Sequence, residues 1–254
     1  MISTLGQAPT GEPLAMNSSQ MHDRIVTSPE AAETNICLEI KVAVFDVCGT
    51  LYRSNTTHDF IDFYLRSRSL LKSIVFRVFR CGMFIPAWAA VSRTLRMDVF
   101  RLLAVGMLRG SPVECVKQES ARFVRSVLPR RQKPAVIALM QQLKMQGYTV
   151  VLISASLSIV VEEVASSLGI DTFFACDLES ENGLYSGRYA HDIIGEKHRV
   201  VDEHFPGCTD LLVVTDNYED AELVRRASRS WIVCEARKQG RWNGIAPSNA
   251  RFME

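Results

Sequence analysis

The chain has 254 residues, of which 47% are hydrophobic and 22% charged, enough for one large globular core or a core with a smaller companion. A formal net charge of +1 with no long basic run argues against a dedicated nucleic-acid binder. Seven scattered cysteines, an odd number with no CxxC pair, imply neither a disulfide framework nor a zinc site and fit reduced thiols in a cytoplasmic protein.

Residues 1–38 are rich in Ser, Thr, Pro, Glu and Asn, without a basic start or an apolar core, and read as a disordered tail rather than a secretory signal. The first strong element follows at Val42-Ala43-Val44-Phe45, an apolar run that reads as a fully buried parallel strand. It leads into Asp46, Val47, Cys48, Gly49, Thr50 and Leu51. Asp46 at that carboxyl end is either a helix-capping acid or a carboxylate placed to act as nucleophile or hard-cation ligand.

Residues 52–57 form a polar loop, and helical patterns then dominate to about Gly147. The first helix carries Phe60, Tyr64 and Leu71 on one face, with Thr56 or Thr57 as N-cap. Residues 70–91 are largely apolar, interrupted by Lys72, Arg77 and Arg80 and broken or kinked at Pro86. A third helix covers 97–108. The fourth has Ser111 as N-cap, Pro112 in its first turn and Glu114 completing a capping box; it buries Val113, Val116, Phe123, Val124 and Val127. A fifth, 134–145, presents Ile137, Met140 and Leu143 and stops before Gly147. The longest charge-free stretch, residues 81–92, falls well short of the roughly 20 residues a membrane span needs. A packed bundle explains this region. Its mixed aromatic and Arg content also suits a surface that lies on a membrane or covers a lipid-like substrate.

From Tyr148 strands alternate with helices, which means a parallel sheet. Strands are expected at 148–153, 172–175, 211–215 and 231–234, and helices at 157–168, 195–205 and 218–227. Asn182-Gly183 marks a hairpin within 178–189. The chain therefore divides into a tail (1–38), an α/β core (39–51 and 147–236), a helical insertion (52–146) and a C-terminal segment (237–254).

Three further stretches bear on Asp46. Ser154 and Ser156 stand where a buried strand meets a helix, either capping that helix or presenting a hydroxyl and free backbone N–H groups to an anion. Lys197 opens another helix, where its charge opposes the helix dipole. It is either an exposed lysine or one held beside a carboxylate and a phosphate; His198 beside it reads as a surface residue. Asp216 ends a third buried strand, with Asp220 four residues on. The two are either a cap and an exposed acid or, with Asp46, an oxygen-rich site for Mg²⁺.

The ordered set of strand–Asp, strand–Ser, Lys and strand–Asp-x-x-x-Asp resembles the haloacid dehalogenase superfamily, whose first motif is DxDxT. The helical insertion after that motif is similar to the phosphoserine-phosphatase-like branch. The resemblance covers about residues 39–235. It implies a Rossmann-like parallel-sheet α/β core with an α-helical cap inserted after the first strand. Asp46 would be the nucleophile that becomes an aspartyl-phosphate. Ser154 and the amide of Ala155 would hold phosphoryl oxygens, and Lys197 would offset negative charge. Asp46, the carbonyl of Cys48 and Asp216 would bind Mg²⁺, with Asp220 in support. Arg53, Thr57 and the cap arginines are candidates for substrate contact by proximity.

One position departs from the pattern. Cys48 stands where the family's phosphatases carry the Asp that acts as general acid and base. Loss of such help typically costs about 10²–10⁴-fold in rate. The expected activity is a Mg²⁺-dependent phosphatase or phosphotransferase acting on a small phosphomonoester such as a sugar, polyol or lipid phosphate. The alternative is an impaired family member that binds a phosphorylated ligand in a regulatory role.

Overall fold

The protein is described by a computed structural model covering residues 40–81 and 98–254. The expected tail, Pro86 and most of the charge-free stretch lie outside the described residues. The first strand, β1, spans Ile40–Phe45. Among the described residues five helices follow before the next strand: α1 (Thr56–Arg68), α2 (Leu70–Arg80), α3 (Val99–Gly106), α4 (Val113–Ser126) and α5 (Pro134–Met145), with a short 3₁₀ turn at Leu128–Arg131. Then come β2 (Thr149–Leu157), α6 (Ser158–Leu168), β3 (Thr172–Glu181), β4 (Leu184–His191), α7 (Lys197–His204) and β5 (Cys208–Thr215). A 3₁₀ turn at Tyr218–Asp220, α8 (Ala221–Arg226), β6 (Arg229–Val233), a 3₁₀ helix at Ala236–Trp242 and β7 (Arg251–Met253) complete the chain.

The seven strands form one sheet in the order β4-β3-β2-β1-β5-β6-β7, parallel throughout except for the β3–β4 hairpin. This is the expected α/β Rossmann-like sheet, with a helical insertion directly after its first strand. β1 lies at the centre, and alternation along it sends side chains to two cores. Ala43 and Phe45 join the core shared with the insertion helices, through Phe60, Phe123 and Leu152. Val42 and Val44 join the opposite core, with Val201, Leu223 and Trp242. Because β1 is flanked by β2 on one side and β5 on the other, chain order reverses beside it, and the crevice at the strands' carboxyl ends is where such sheets bind ligands.

Several boundaries differ from the sequence reading. The N-cap of α1 is Asn55, whose side chain accepts from the His58 N–H; Thr56 and Thr57 already lie inside the helix. The capping box at Ser111 does not form, and α4 starts at Val113 without a side-chain cap. Its entry is held instead by the hairpin: Gly110 N donates to Tyr185 O, Tyr185 N to Ser111 O, and Val113 N to Gly183 O. β3 runs six residues further than expected because it passes from parallel pairing with β2 to antiparallel pairing with β4. Asn182 and Gly183 both take positive φ, 50° and 75°, as the two-residue hairpin requires. The C-terminal segment, to which no element was assigned, adds an edge strand and buries Trp242.

Among the described residues no helix is long and apolar enough to cross a membrane. α2 buries only Ser73 and Phe76, leaving Leu70, Leu71, Ile74 and Val78 exposed.

Candidate active site

Parallel pairing sets Phe45 of β1 level with Leu152 of β2 and Val214 of β5. One residue beyond this row lies Asp46, and two residues beyond it lie Ser154 and Asp216. The sheet's register thus brings three separate stretches of sequence to one edge. Asp46, Ser154 and Asp216 line a cleft of about 840 Å³ together with Cys48, Gly49, Arg53, Thr57, Ala155 and Ser156. The insertion contributes His58, Asp98, Arg101 and Lys133, the loop after β6 contributes Glu235, and the C-terminal residue Glu254 completes the lining.

Lys197 is buried, 3% exposed, beneath this cleft. Its Nζ donates to Asp46 Oδ1 at 2.9 Å and to Asp220 Oδ2 at 2.8 Å. Burial alone would lower the lysine's pKa; the two carboxylates reverse that and hold it above its ordinary value. Lys197 therefore remains a cation. Burial pushes the Asp46 carboxyl above its ordinary value, and the Lys197 ammonium works against that shift. Asp220 is equally buried; its Oδ2 also accepts from Thr215 Oγ1 at 2.6 Å, while its Oδ1 has no partner. Asp220 does not line the cleft. It acts on Asp46 through Lys197.

Thr50 joins the two exposed-edge carboxylates. Its Oγ1 lies 2.9 Å from Asp216 Oδ1 and 3.4 Å from Asp46 Oδ2, and it accepts from the Asp216 N–H at 2.9 Å. Gly49, with φ of +76°, turns the chain so that its bare Cα lies against Asp216; a Cβ there would sit 2.1 Å from Asp216 Oδ2. Burial, followed by the Asp46 charge, raises the Asp216 carboxyl to about 6. A buried and a half-buried carboxylate facing a common hydroxyl, beside the backbone of Cys48, match what Mg²⁺ accepts: hard oxygen donors, few carboxylates and room for water. Among the described residues no group of three or more His, Cys, Asp or Glu side chains gathers as a metal site, so any cation here would be held by two carboxylates with backbone oxygen and water.

Neither serine caps α6, whose N-cap is Leu157 without a side-chain bond. Ser154 is fully buried, and its Oγ accepts from Ser156 N at 3.4 Å. The Ser156 and Thr56 hydroxyls lie 2.5 Å apart, tying β2 to the first turn of α1. Thr57, beside it, is buried and lines the cleft.

The Cys48 thiol donates to the Ser54 carbonyl at 3.2 Å. Burial, then the Asp46 charge, pushes it up to about 12. It stays protonated through the physiological range.

Several arginines of the insertion pair with acids that do not line the cleft. Arg66 and Arg77 pair with Asp62, and Arg80 and Arg131 with Asp59. Arg101 differs. This buried side chain of α3 crosses to the core, where it pairs with Asp192 at 2.6 Å and donates to Ala155 O at 2.9 Å and Cys176 Sγ at 3.1 Å. Its guanidinium also lies over the Tyr189 ring, 4.2 Å from the centroid. His198 is half-buried and lines a separate cavity with Asp202 and Phe205.

Sequence reasoning gave no role to Thr50, included Arg101 only among the cap arginines, and did not find Lys133, Glu235 or Glu254 as cleft residues. Thr50 was visible within the first motif. The others come from segments far from the motifs, and only the packing of the insertion and the C-terminal strand brings them here.

Comparison with known proteins gives the family and the fold. A family model for haloacid dehalogenase-like hydrolases matches residues 43–225. The chain belongs to that family. Its matches lie on the phosphoserine-phosphatase-like branch. A phosphoserine phosphatase from Archaeoglobus fulgidus is 30% identical over 129 residues, covering 48% of this chain and 36% of that protein. The chain thus matches only about a third of that relative's length. Among solved structures, a protein of unknown function from Bordetella pertussis superposes with a TM-score of 0.66 at 17% identity, covering 85% of this chain and 99% of the other. The phosphoserine phosphatase of T. onnurineus gives 0.53 at 22% identity, covering 85% and 90%. Residues 226–254 lie beyond the family match, so the wall formed by Glu235 and Glu254 is outside what the family model describes.

Proposed function

We propose that the protein is a Mg²⁺-dependent phosphomonoester hydrolase or phosphotransferase with Asp46 as nucleophile. The observation that carries this reading is the buried bridge from Asp220 through Lys197 to Asp46, set beside Asp216 in a solvent-accessible cleft. An Asp held by a permanent cation at the carboxyl end of a central strand is oriented, and the cation opposes the burial that favours its neutral form.

Residues 52–146 act as the cap in this reading, and the cleft beneath them admits the substrate. Ser154 Oγ and the Ala155 backbone amide receive the phosphoryl oxygens, and Lys197 balances the charge that Asp46 and the phosphoryl group bring together. Asp46, Asp216 and the Cys48 carbonyl hold Mg²⁺, and Asp220 positions the lysine. When bound, the metal neutralises phosphoryl charge, which is most of what phosphoryl transfer demands besides alignment. An Asp46 carboxylate oxygen attacks phosphorus, the ester P–O bond breaks, and the alkoxide leaves with its electron pair and takes up a proton. In the second step water or another hydroxyl attacks the aspartyl-phosphate, the acyl P–O bond breaks and the carboxylate is regenerated.

Cys48 limits that second step. A thiol held at about 12 and donating to Ser54 O can give a proton to a strongly basic alkoxide, but it is no base for water. Slow breakdown favours either a slow phosphatase or transfer to a better acceptor. The same observation supports a second reading, in which the site holds a phosphorylated ligand without turnover.

Mg²⁺-dependent release of p-nitrophenol from p-nitrophenyl phosphate separates these readings, because that leaving group needs little protonation. Turnover that disappears in Asp46→Asn is expected of the enzyme. Equal rates in the two proteins would leave only the binding reading.

A further inference from the structure

α2 turns its aliphatic side chains outward. By helical rotation Leu70, Leu71, Ile74 and Val78 fall within an arc of about 100°. Each of them is between 49% and 73% exposed. The buried residues of the helix, Ser73 and Phe76, lie on the opposite side. Phe76 stacks on Phe100 with ring centroids 5.7 Å apart and meets His58 edge-on at 6.4 Å, and His58 lines the cleft. One side of α2 thus backs the cleft wall while the other presents an apolar stripe. A single exposed Leu is ordinary, but four bulky aliphatic side chains aligned along about two turns make a contact surface.

The charge beside this stripe has one sign. Residues 63–97 hold seven Lys or Arg and no Asp or Glu, although the whole chain is nearly neutral at +1. Arg77 borders the stripe on one flank and Lys72 lies on the other; both are exposed, as are Arg66 and Arg68 at the adjoining end of α1. Asp62 pairs with both Arg66 and Arg77, and Asp59 with both Arg80 and Arg131. Each acid therefore answers two cations, and a positive excess remains. A second copy of the chain seated on this face would bring like charges together. An anionic bilayer surface fits both features: aliphatic side chains enter the boundary between headgroups and acyl chains, and Lys and Arg stay among the headgroups.

We propose that α2 is a docking surface for anionic phospholipid membranes, with Leu70, Leu71, Ile74 and Val78 as its apolar contacts. At 11 residues the helix lies on the bilayer and does not cross it. Docking of this kind does not depend on the phosphoryl chemistry above, so the two fail separately. It sets the cleft wall about one helix diameter, ~10 Å, from the lipid.

The test is flotation of the full chain with two kinds of vesicle, phosphatidylcholine alone and phosphatidylcholine mixed with phosphatidylglycerol. The mixed vesicles are expected to bind about tenfold or more tightly than the neutral ones, and raised salt should weaken the binding. Leu71→Gln with Ile74→Gln and Val78→Gln, all at exposed positions, should lower it about tenfold or more with unchanged circular dichroism. Arg68→Gln with Lys72→Gln should lower it about fivefold or more on the mixed vesicles alone. Absence of binding to the mixed vesicles, or binding that survives both sets of substitutions, would overturn the docking surface. Sedimentation equilibrium without lipid should give the same mass for the wild type and the triple variant. A dimer that the triple variant dissolves would assign the stripe to a second copy of the chain and overturn the membrane assignment.

Discussion

Cys48 carries the sharpest consequence of a single residue. Its thiol stands one residue beyond Val47 in the first motif and is held protonated by burial and by Asp46. At pH 8 it should therefore react with iodoacetamide far more slowly than an exposed thiol such as Cys81, measured by site-resolved mass spectrometry. Cys48→Asp should raise turnover of alkyl phosphates by about 10²-fold or more, and that of p-nitrophenyl phosphate much less. Equal gains on both would show that the position does not handle the leaving-group proton. Gly49→Ala forces a Cβ to within 2.1 Å of Asp216 Oδ2 and strains a φ of +76°; it should abolish any Mg²⁺-dependent rise in melting temperature. At this scale the site was largely legible. Asp46 and Asp216 follow apolar strands, Ser154 lies in the last half of one, and Lys197 begins a helix. Their burial was not legible, because a lysine at a helix start reads as exposed until a sheet is placed beneath it.

The helices of the insertion are the elements that hold the cleft's outer wall. Arg101 on α3 connects that wall to the Ala155 carbonyl and to Asp192. Arg101→Met should cost about 2–3 kcal/mol in denaturant unfolding, below the full cost of a buried pair because Asp192 is 31% exposed. It should also lower kcat/KM by releasing the segment that carries Ser154. His58 on α1 packs edge-on against Phe100 and Phe76; burial, then the Arg80 charge, holds it down at about 4. The unfolded chain takes up that proton near 6.5 and the native chain does not. The stability this contributes is present above pH 6.5 and declines as pH falls towards 4. Melts should show a loss of about 1–2 kcal/mol between pH 7 and pH 5 that His58→Gln reduces. Long periodic helices such as α5 were legible to the residue. The start of α4 was not, because hairpin backbone groups replaced the cap its sequence offered, and β3 was underestimated because pairing with β4 outlasts its apolar run.

At the scale of the whole molecule the C-terminal segment closes the second core. Trp242 is 1% exposed and stacks on Tyr218, next to the turn that carries Asp220. Trp242→Ala should cost about 3–5 kcal/mol, and Trp242→Phe much less, since the indole N–H has no partner. Nothing in residues 237–254 resembles the family motifs, and their contribution emerges only once β7 pairs with β6. Insertion, core and C-terminal segment thus meet around one cleft, and the central claim is that Asp46 in that cleft becomes phosphorylated. The most direct measurement is acid quenching of the wild-type chain after incubation with Mg²⁺ and p-nitrophenyl phosphate, followed by intact-mass and peptide mass spectrometry. The expected result is a mass gain of one phosphoryl group, located on Asp46, absent from Asp46→Asn and longer-lived in the wild type than in Cys48→Asp. Turnover without any covalent adduct on Asp46, or an adduct on another residue, would contradict it.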